Sequence, residues 1–374
     1  MQDIIYLDHN STTPPLKEVK NYLLQLEVFD LPLNPSSVHL LGRQAKNLLE
    51  EARVSAKKSI GAMCHELIFC SSATECINLC FNALEYANIF ALATDHECAI
   101  NHPKTQLLPV DKDGLADLCF MEQVFKKLPQ NSLNLLSFCL ANNQSGVLQN
   151  FDSLVTLCKQ HGVLLHGDAS QFAGKELVNL RTETQDFDFL TIAGHKFGSI
   201  HGSACLVYKS GIDFKPLMFG GGQEKFKRPS TQNLPAALAL SKALELVNNQ
   251  DYLNKYQNHC NAFRTELESF LQQNNCIIFG KGVPRVANTT FFAMPGFDNN
   301  VQMVEYDLAN ICLSNGSACS SSKVSLSHVL TACSVPKELA RCAVRVSCSL
   351  GNTTTHLQTF KAVFTNLAKR LEVN

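Results

Sequence analysis

A chain of 374 residues is long enough to bury a sizeable core, and it predicts one large domain with a smaller one beside it, or two domains. Apolar residues at 45% and charged residues at 17% exclude an intrinsically disordered chain. A formal net charge of -1 gives no electrostatic basis for a nucleic-acid partner or an anionic membrane surface.

The chain begins "MQDIIYLDHNSTTPP", with acids early and no basic stretch leading into an apolar one, so no secretory signal is expected. No apolar run approaches the roughly 18 residues of a membrane span. The 16 cysteines are therefore expected as free thiols in a reducing compartment, the cytoplasm. No C-x-x-C pair is present, which argues against a zinc ribbon or a thioredoxin-type site, and no metal is expected. Most of the cysteines sit in apolar runs such as "LLSFCLA" and "GSACLVY" and read as small core residues.

Along the chain, short apolar runs alternate with longer helical patterns. The first helix is expected over 43–61, where Ala45, Leu48, Leu49, Ala52, Ala56 and Ile60 share a face. Buried strands are expected at 66–70, 89–94, 135–141, 163–168, 189–193 and 204–208, all continuous and apolar. Helical patterns over 75–87 and 151–161 lie between them. This alternation predicts an α/β large domain, 15–245, with a mostly parallel sheet covered by helices. After the Gly-rich "FGGGQE" a helix over about 235–249 leads into less regular sequence. There a smaller α+β domain is expected, formed by 1–14 and 246–374 and closed by a helix at 355–371.

Ligands of open α/β sheets bind at the carboxyl ends of the strands, so the residues that follow each strand matter most. After 66–70 comes "SSATE", small hydroxyl residues opening a helix: either an ordinary N-cap or an anion site for phosphate. After 89–94 comes His96, alone as easily a satisfied surface residue as a functional one. After 135–141 comes "NNQSG", first a turn signal, with Asn143 able to aim an amide into the cleft. Asp168 ends 163–168, where a buried carboxylate needs a cationic partner such as a protonated ring nitrogen, and Gln171 follows it. Lys196 follows 189–193 directly, where desolvation would favour the neutral amine that forms a Schiff base. Each signal is weak alone. Together, a phosphate cradle, a ring neighbour, a carboxylate for a ring nitrogen and a Schiff-base lysine describe a pyridoxal 5'-phosphate (PLP) site.

One thiol stands apart from this pattern. Cys319 lies in "SNGSACSSSK", a run of small polar residues that is composed as a loop and not as a packed element.

The motif order resembles the cysteine desulfurases of the NifS/IscS-like branch of the class V aminotransferases, PLP fold-type I. The resemblance runs through "IYLDHNSTTPP", "NPSSVHLLGR", "SSATE", "DHECAI", "NNQSGVLQ", "HGDASQFAGK", "GHKFG", "GGGQEKFKRPSTQN", "SNGSAC" and "RVSCSLG". It implies that Ala73 and Thr74 bind the cofactor phosphate and that His96 stacks on the ring and moves protons. Asn143 and Gln171 would bond around the ring hydroxyl, Asp168 would pair with the ring nitrogen, and His195 would touch the phosphate. Lys196 would hold the cofactor, and Thr231 would reach the phosphate of a neighbouring subunit in a homodimer. Arg345, with Asn143, would bind the substrate carboxylate. Cys319, in a loop over about 314–326, would be the nucleophile. The implied reaction converts L-cysteine to L-alanine and leaves a persulfide on Cys319 for an acceptor protein such as an iron-sulfur scaffold, for cluster assembly or thiolation.

The sequence departs from the family pattern at Ser72 (usually Gly), Gln144 (commonly Glu), Ala193 (usually Ser) and Pro229-Ser230 (usually Ser-Gly). "HKFGSIHG" also lacks the usual Tyr-Gly-Pro-Lys-Gly run. The alternatives are a selenocysteine lyase, another class V PLP enzyme such as a transaminase, or a weakened homologue acting as a partner protein. A transaminase would have no use for Cys319 in such a loop.

Overall fold

The structure, a computed structural model, describes residues 4–182, 185–315 and 326–372. Its strands in chain order are β1 (Ile5–Tyr6), β2 (His65–Cys70), β3 (Asn88–Leu92), β4 (Thr105–Leu108), β5 (Asn134–Cys139), β6 (Val163–Asp168) and β7 (Phe189–Ala193). They continue with β8 (Ala204–Lys209), β9 (Ile277–Ile278), β10 (Thr289–Ala293), β11 (Ile311–Cys312) and β12 (Ala343–Ser347).

Seven strands make one sheet in the order β2-β8-β7-β6-β5-β3-β4. It is mostly parallel, and β8 runs antiparallel to both neighbours. The expected α/β architecture with a mostly parallel sheet is therefore present. The continuous apolar runs are buried throughout β5 and β7, as strands covered on both faces require. β4 escaped sequence reading because it is a four-residue edge strand, half exposed, with no apolar run to mark it. β3 and β5 stop two residues short of the apolar runs that contain them. The buried Asp95 carboxylate explains the stop: it accepts the N–H of Leu92 at 3.0 Å and of Cys139 at 2.8 Å, clamping both strand ends as the chain turns away.

The helix Leu40–Ser59 presents Ala45, Leu49, Ala52 and Ala56 to the core, the face that the periodicity defines, while Leu48 is only half-buried. Its main packing partner is the apolar helix Leu234–Val247. The helix Ala73–Phe81 ends earlier than its pattern, because Asn82 closes it and the chain turns toward β3.

β10 pairs antiparallel with β12 and β9, and β1 pairs parallel with β11. Ile5 and Leu7 pack with Tyr256, Phe263, Phe292, Tyr306 and Phe360 in a hydrophobic cluster distinct from that of the large sheet. The residues after β1 run back across the carboxyl ends of the large sheet, since Thr13 N donates to His195 O at 2.8 Å and Leu16 N to Gly198 O at 2.9 Å.

His166 on β6 is fully buried between Ser137 Oγ at 2.8 Å and Thr191 Oγ1 at 2.9 Å. Burial pushes its pKa down to about 4, against the opposing pull of Asp168. Between that value and the unfolded one near 6.5 the unfolded chain binds the extra proton, so stability falls as pH falls through this window. From neutral pH to about pH 5 this one group is expected to cost about 2 kcal/mol. Thermal melts at both pH values should show the loss, and His166→Gln should reduce it. An unchanged pH dependence in the variant would remove His166 as its source.

Candidate active site

Lys196 ends the short 3-10 turn Gly194–Lys196 that follows β7. The turn is tight: a Cβ on Gly194 would lie 2.5 Å from Ser203 Oγ and 2.7 Å from Ser199 Cβ, so only glycine lets the backbone close there. Lys196 Nζ donates to the main-chain oxygens of Asn10 at 2.9 Å and Ser11 at 2.7 Å. Both belong to the strap that follows β1. Thr13 Oγ1 donates to Lys196 O at 3.1 Å, and His195 Nδ1 meets Thr12 Oγ1 at 3.2 Å. Burial first, then the positive charges of Lys196 and His201, push the His195 pKa down to about 4, so its ring is neutral near pH 7.

Asp168 is the last residue of β6, buried in the middle of the sheet, and its Oδ1 accepts the N–H of Ser170 at 2.9 Å. Gln171 is buried one turn on. Its Nε2 donates to Asn10 O at 2.8 Å and its Oε1 accepts from Lys175 at 2.5 Å. Asn143 contributes its main-chain carbonyl to the strap, accepting from Asn10 Nδ2 at 3.1 Å and from Arg345 at 2.9 Å.

Arg345 on β12 is 2% exposed. One terminal nitrogen bonds Asp8 Oδ1 at 2.6 Å and Ser11 Oγ at 2.9 Å, and the other bonds the carbonyl of Asn143. Its Nε is buried without a hydrogen-bond partner among the described residues. A guanidinium held this firmly, with one N–H unanswered, suits a carboxylate.

His96 caps the turn Glu97–Ile100, its Nδ1 accepting the Cys98 N–H at 3.3 Å and lying 3.1 Å from Cys98 Sγ. With Nδ1 an acceptor, the neutral ring carries its proton on Nε2. Ala73 and Thr74 open the nine-residue helix at the end of β2, and Ser72 is its N-cap through a bond from Glu75 N at 3.2 Å. The serine thus supplies a cap that the family glycine lacks. Glu75 is held by Arg228 Nε at 2.7 Å and by the Ser71 hydroxyl and N–H, which ties the segment before Leu234–Val247 to this helix start. Thr231, three residues on, is exposed.

Cys319 lies outside the described residues. The chain on either side of it is placed. Ser314 pairs with Arg345 through its backbone, N to O at 3.3 Å and O to N at 2.6 Å. On the far side the Ser327 hydroxyl bonds Gln144 Oε1, and His328 Nε2 meets Asp95 O at 2.9 Å, one residue from His96. Gln144, where the family commonly has Glu, thus anchors the returning chain.

Sequence reading missed Asn10, Lys175 and Asp8. The strap motif "IYLDHNSTTPP" marked the stretch without saying which side chains mattered. Lys196, where the sequence predicts desolvation, is half-buried, and among the described residues Lys175 is the more deeply buried, 2% exposed.

Besides Arg345 Nε, the buried hydroxyls of Thr94 and Ser170 have no partner among the described residues, and each lies at the carboxyl end of a strand, beside Asp95 or Asp168. A lysine amine, a buried carboxylate and a helix start complete a donor set that fits an aldehyde, a ring nitrogen and a phosphate.

The aminotransferase class-V family model matches residues 5–360. The cysteine desulfurase IscS of Dictyoglomus turgidum is 31% identical, over 94% of this chain and 91% of its own length. Cysteine desulfurase 2 of Trichormus variabilis is 31% identical, over 98% and 94%. Among solved structures, a NifS-like protein from Rickettsia africae superposes with a TM-score of 0.91 at 33% identity, covering 98% of this chain and all of that one. The chain therefore belongs to the class-V aminotransferases, in their cysteine desulfurase branch.

Proposed function

We propose that the chain is a PLP-dependent cysteine desulfurase, taking sulfur from L-cysteine onto Cys319 and releasing L-alanine. One observation carries this reading: the chain enters the Cys319 segment from the backbone of Arg345 and leaves it at Ser327 and His328, against Gln144 and Asp95. One end of the segment is thus fastened to Arg345 itself and the other to Asp95, the residue before His96.

When bound, PLP supplies an aldehyde that captures amines and a protonated ring that takes up the electron pair left when Cα loses its proton. The chain supplies the rest. Ala73 and Thr74, at a helix start, would hold the phosphate, and His195 would touch it. Asp168 keeps the proton on the ring nitrogen, and Asn143 and Gln171 bond around the ring hydroxyl. Lys196 anchors the group and takes the Cα proton at Nζ. Arg345 fixes the substrate carboxylate through its unanswered N–H, with Asn143 alongside. His96 would stack on the ring and move protons through Nε2. The Cys319 thiolate forms a bond to the substrate Sγ as the Cβ–Sγ bond breaks. The bonding pair stays with the carbon, which is protonated to give alanine, and Cys319 keeps the sulfur as a persulfide.

Residues 15–245 form the cofactor-binding domain, and 1–14 with 246–374 form the small domain, which brings Arg345 and the nucleophile. The exposed Thr231 reaches the phosphate of a second subunit in a homodimer. The persulfide passes to an acceptor protein such as an iron-sulfur scaffold in the cytoplasm.

Arg345→Leu should raise the KM for cysteine roughly tenfold or more, the worth of a charge-assisted carboxylate contact. It should also cost stability of about 3 kcal/mol, because Asp8 loses its partner in a largely buried pair. Steady-state kinetics and melting temperature check both; an unchanged KM would place the substrate carboxylate elsewhere. The function itself is tested by incubating the protein with L-cysteine and a thiol reductant that cleaves the persulfide, with and without added PLP, and measuring alanine and sulfide. Equal amounts that require PLP are expected. Alanine without sulfur release, or activity with selenocysteine alone, would contradict it.

A further inference from the structure

Among the described residues around the site, Lys175 is a lysine that the reaction leaves without a task. It is 2% exposed and pairs with no carboxylate among the described residues. Its Nζ meets two amide oxygens, Asn10 Oδ1 at 2.7 Å and Gln171 Oε1 at 2.5 Å. Both oxygens are identified by what lies on the other side of each amide. Gln171 Nε2 faces the main-chain oxygen of Asn10, and Asn10 Nδ2 faces that of Asn143; neither oxygen can donate, so each amide must turn its oxygen to Lys175. Two acceptors match the two N–H groups of a neutral amine.

The charges around Lys175 point the same way. Burial, then Lys196 and Arg345, push its pKa down, with Cys260 and Cys348 opposing. Asp8 is paired with Arg345, burial pushes the neighbouring Glu176 up to about 7, so that it is only partly ionised near neutral pH, and His9 is neutral near pH 7.

The two amides are not equally dependent on Lys175. Asn10 Oδ1 also accepts from Asn288 Nδ2 at 3.1 Å, whereas Lys175 is the one donor to Gln171 Oε1 among the described residues. Loss of the amine would therefore leave Gln171 with a buried, unanswered oxygen, and the side chain would turn to find a donor.

We propose that Lys175 is a positioning residue, a buried amine that holds the Gln171 amide so that its remaining Nε2–H is presented to the cofactor. The inference rests on the PLP-binding function proposed above. Through Asn10, the same contacts keep the main-chain carbonyl that receives the Lys196 amine in place.

The test is a double-variant cycle on cofactor binding, read by absorbance as apoprotein is titrated with PLP. Lys175→Met and Gln171→Ala should each weaken binding on the order of tenfold, and the double variant should bind no more weakly than Gln171→Ala alone. The pH midpoint of the visible band should be the same in Lys175→Met as in wild type, since no charge is removed. Melting temperature and circular dichroism establish that each variant is folded. If Lys175→Met does not fold, Lys175→Gln takes its place: its N–H can still serve Gln171 Oε1, so binding should be restored toward wild type. Undiminished affinity in Lys175→Met, additive losses in the double variant, a Lys175→Gln protein that folds yet binds as weakly as Gln171→Ala, or a midpoint moved to higher pH would each overturn the proposal. A wild-type apoprotein that takes up no PLP would refute the function beneath it instead, and the inference with it.

Discussion

Lys196→Ala is expected to abolish cysteine turnover, by more than about 10³-fold, and to remove the visible absorbance band of the PLP-loaded protein. The residue closes the turn after β7, and its amine is aimed by two main-chain carbonyls of the strap, Asn10 and Ser11. Alanine keeps the turn, because the bonds that hold it are made by the backbone: Thr13 N to His195 O, and Gly194 N to Ser203 O. The variant should therefore be folded and melt near the wild type, so that the loss reports chemistry and not stability. Retention of the band in purified Lys196→Ala would assign the cofactor-holding amine to another lysine, and the buried Lys175 would be the first to examine.

Cys319→Ser should separate binding from sulfur transfer. Lys196, Asp168 and Arg345 are untouched, so the variant should still take up PLP and should show the spectral change that follows addition of L-cysteine. It should release almost no sulfide, since a serine hydroxyl is barely ionised at neutral pH and attacks sulfur poorly. Sulfide release at the wild-type rate would show that another thiol serves. Solvent access alone would not pick out that thiol, because Cys64 and Cys119 are exposed and Cys98 lies beside His96.

The large sheet was legible because its central strands are buried on both faces and are written as continuous apolar runs. β5 and β7 are instances, and β4, short and at the edge, is the counter-instance. Boundaries were less legible, since the stop after Leu92 and Cys139 is imposed by the Asp95 carboxylate, a partner that periodicity does not see. Asp168 and Lys196 could be read from sequence because polar residues that end buried runs are conspicuous. Asn10 and Lys175 could not. Their roles arise from contacts across more than 160 positions of chain, |i−j| = 165 between them, made only when the strap folds over the sheet ends. Arg345 came through resemblance alone, and its meaning as a clamp rests on Asp8, Ser11 and Asn143, none adjacent to it in sequence.

The account stands or falls on where the sulfur goes. The PLP-loaded protein should be treated briefly with L-cysteine, digested without reductant, and its cysteine peptides examined by mass spectrometry. One added sulfur atom is expected on the peptide that contains Cys319, formed together with one equivalent of alanine and absent from Lys196→Ala. Added sulfur on a peptide carrying Cys64, Cys98 or Cys119 in place of Cys319, or alanine formed with no sulfur on the protein, would contradict it.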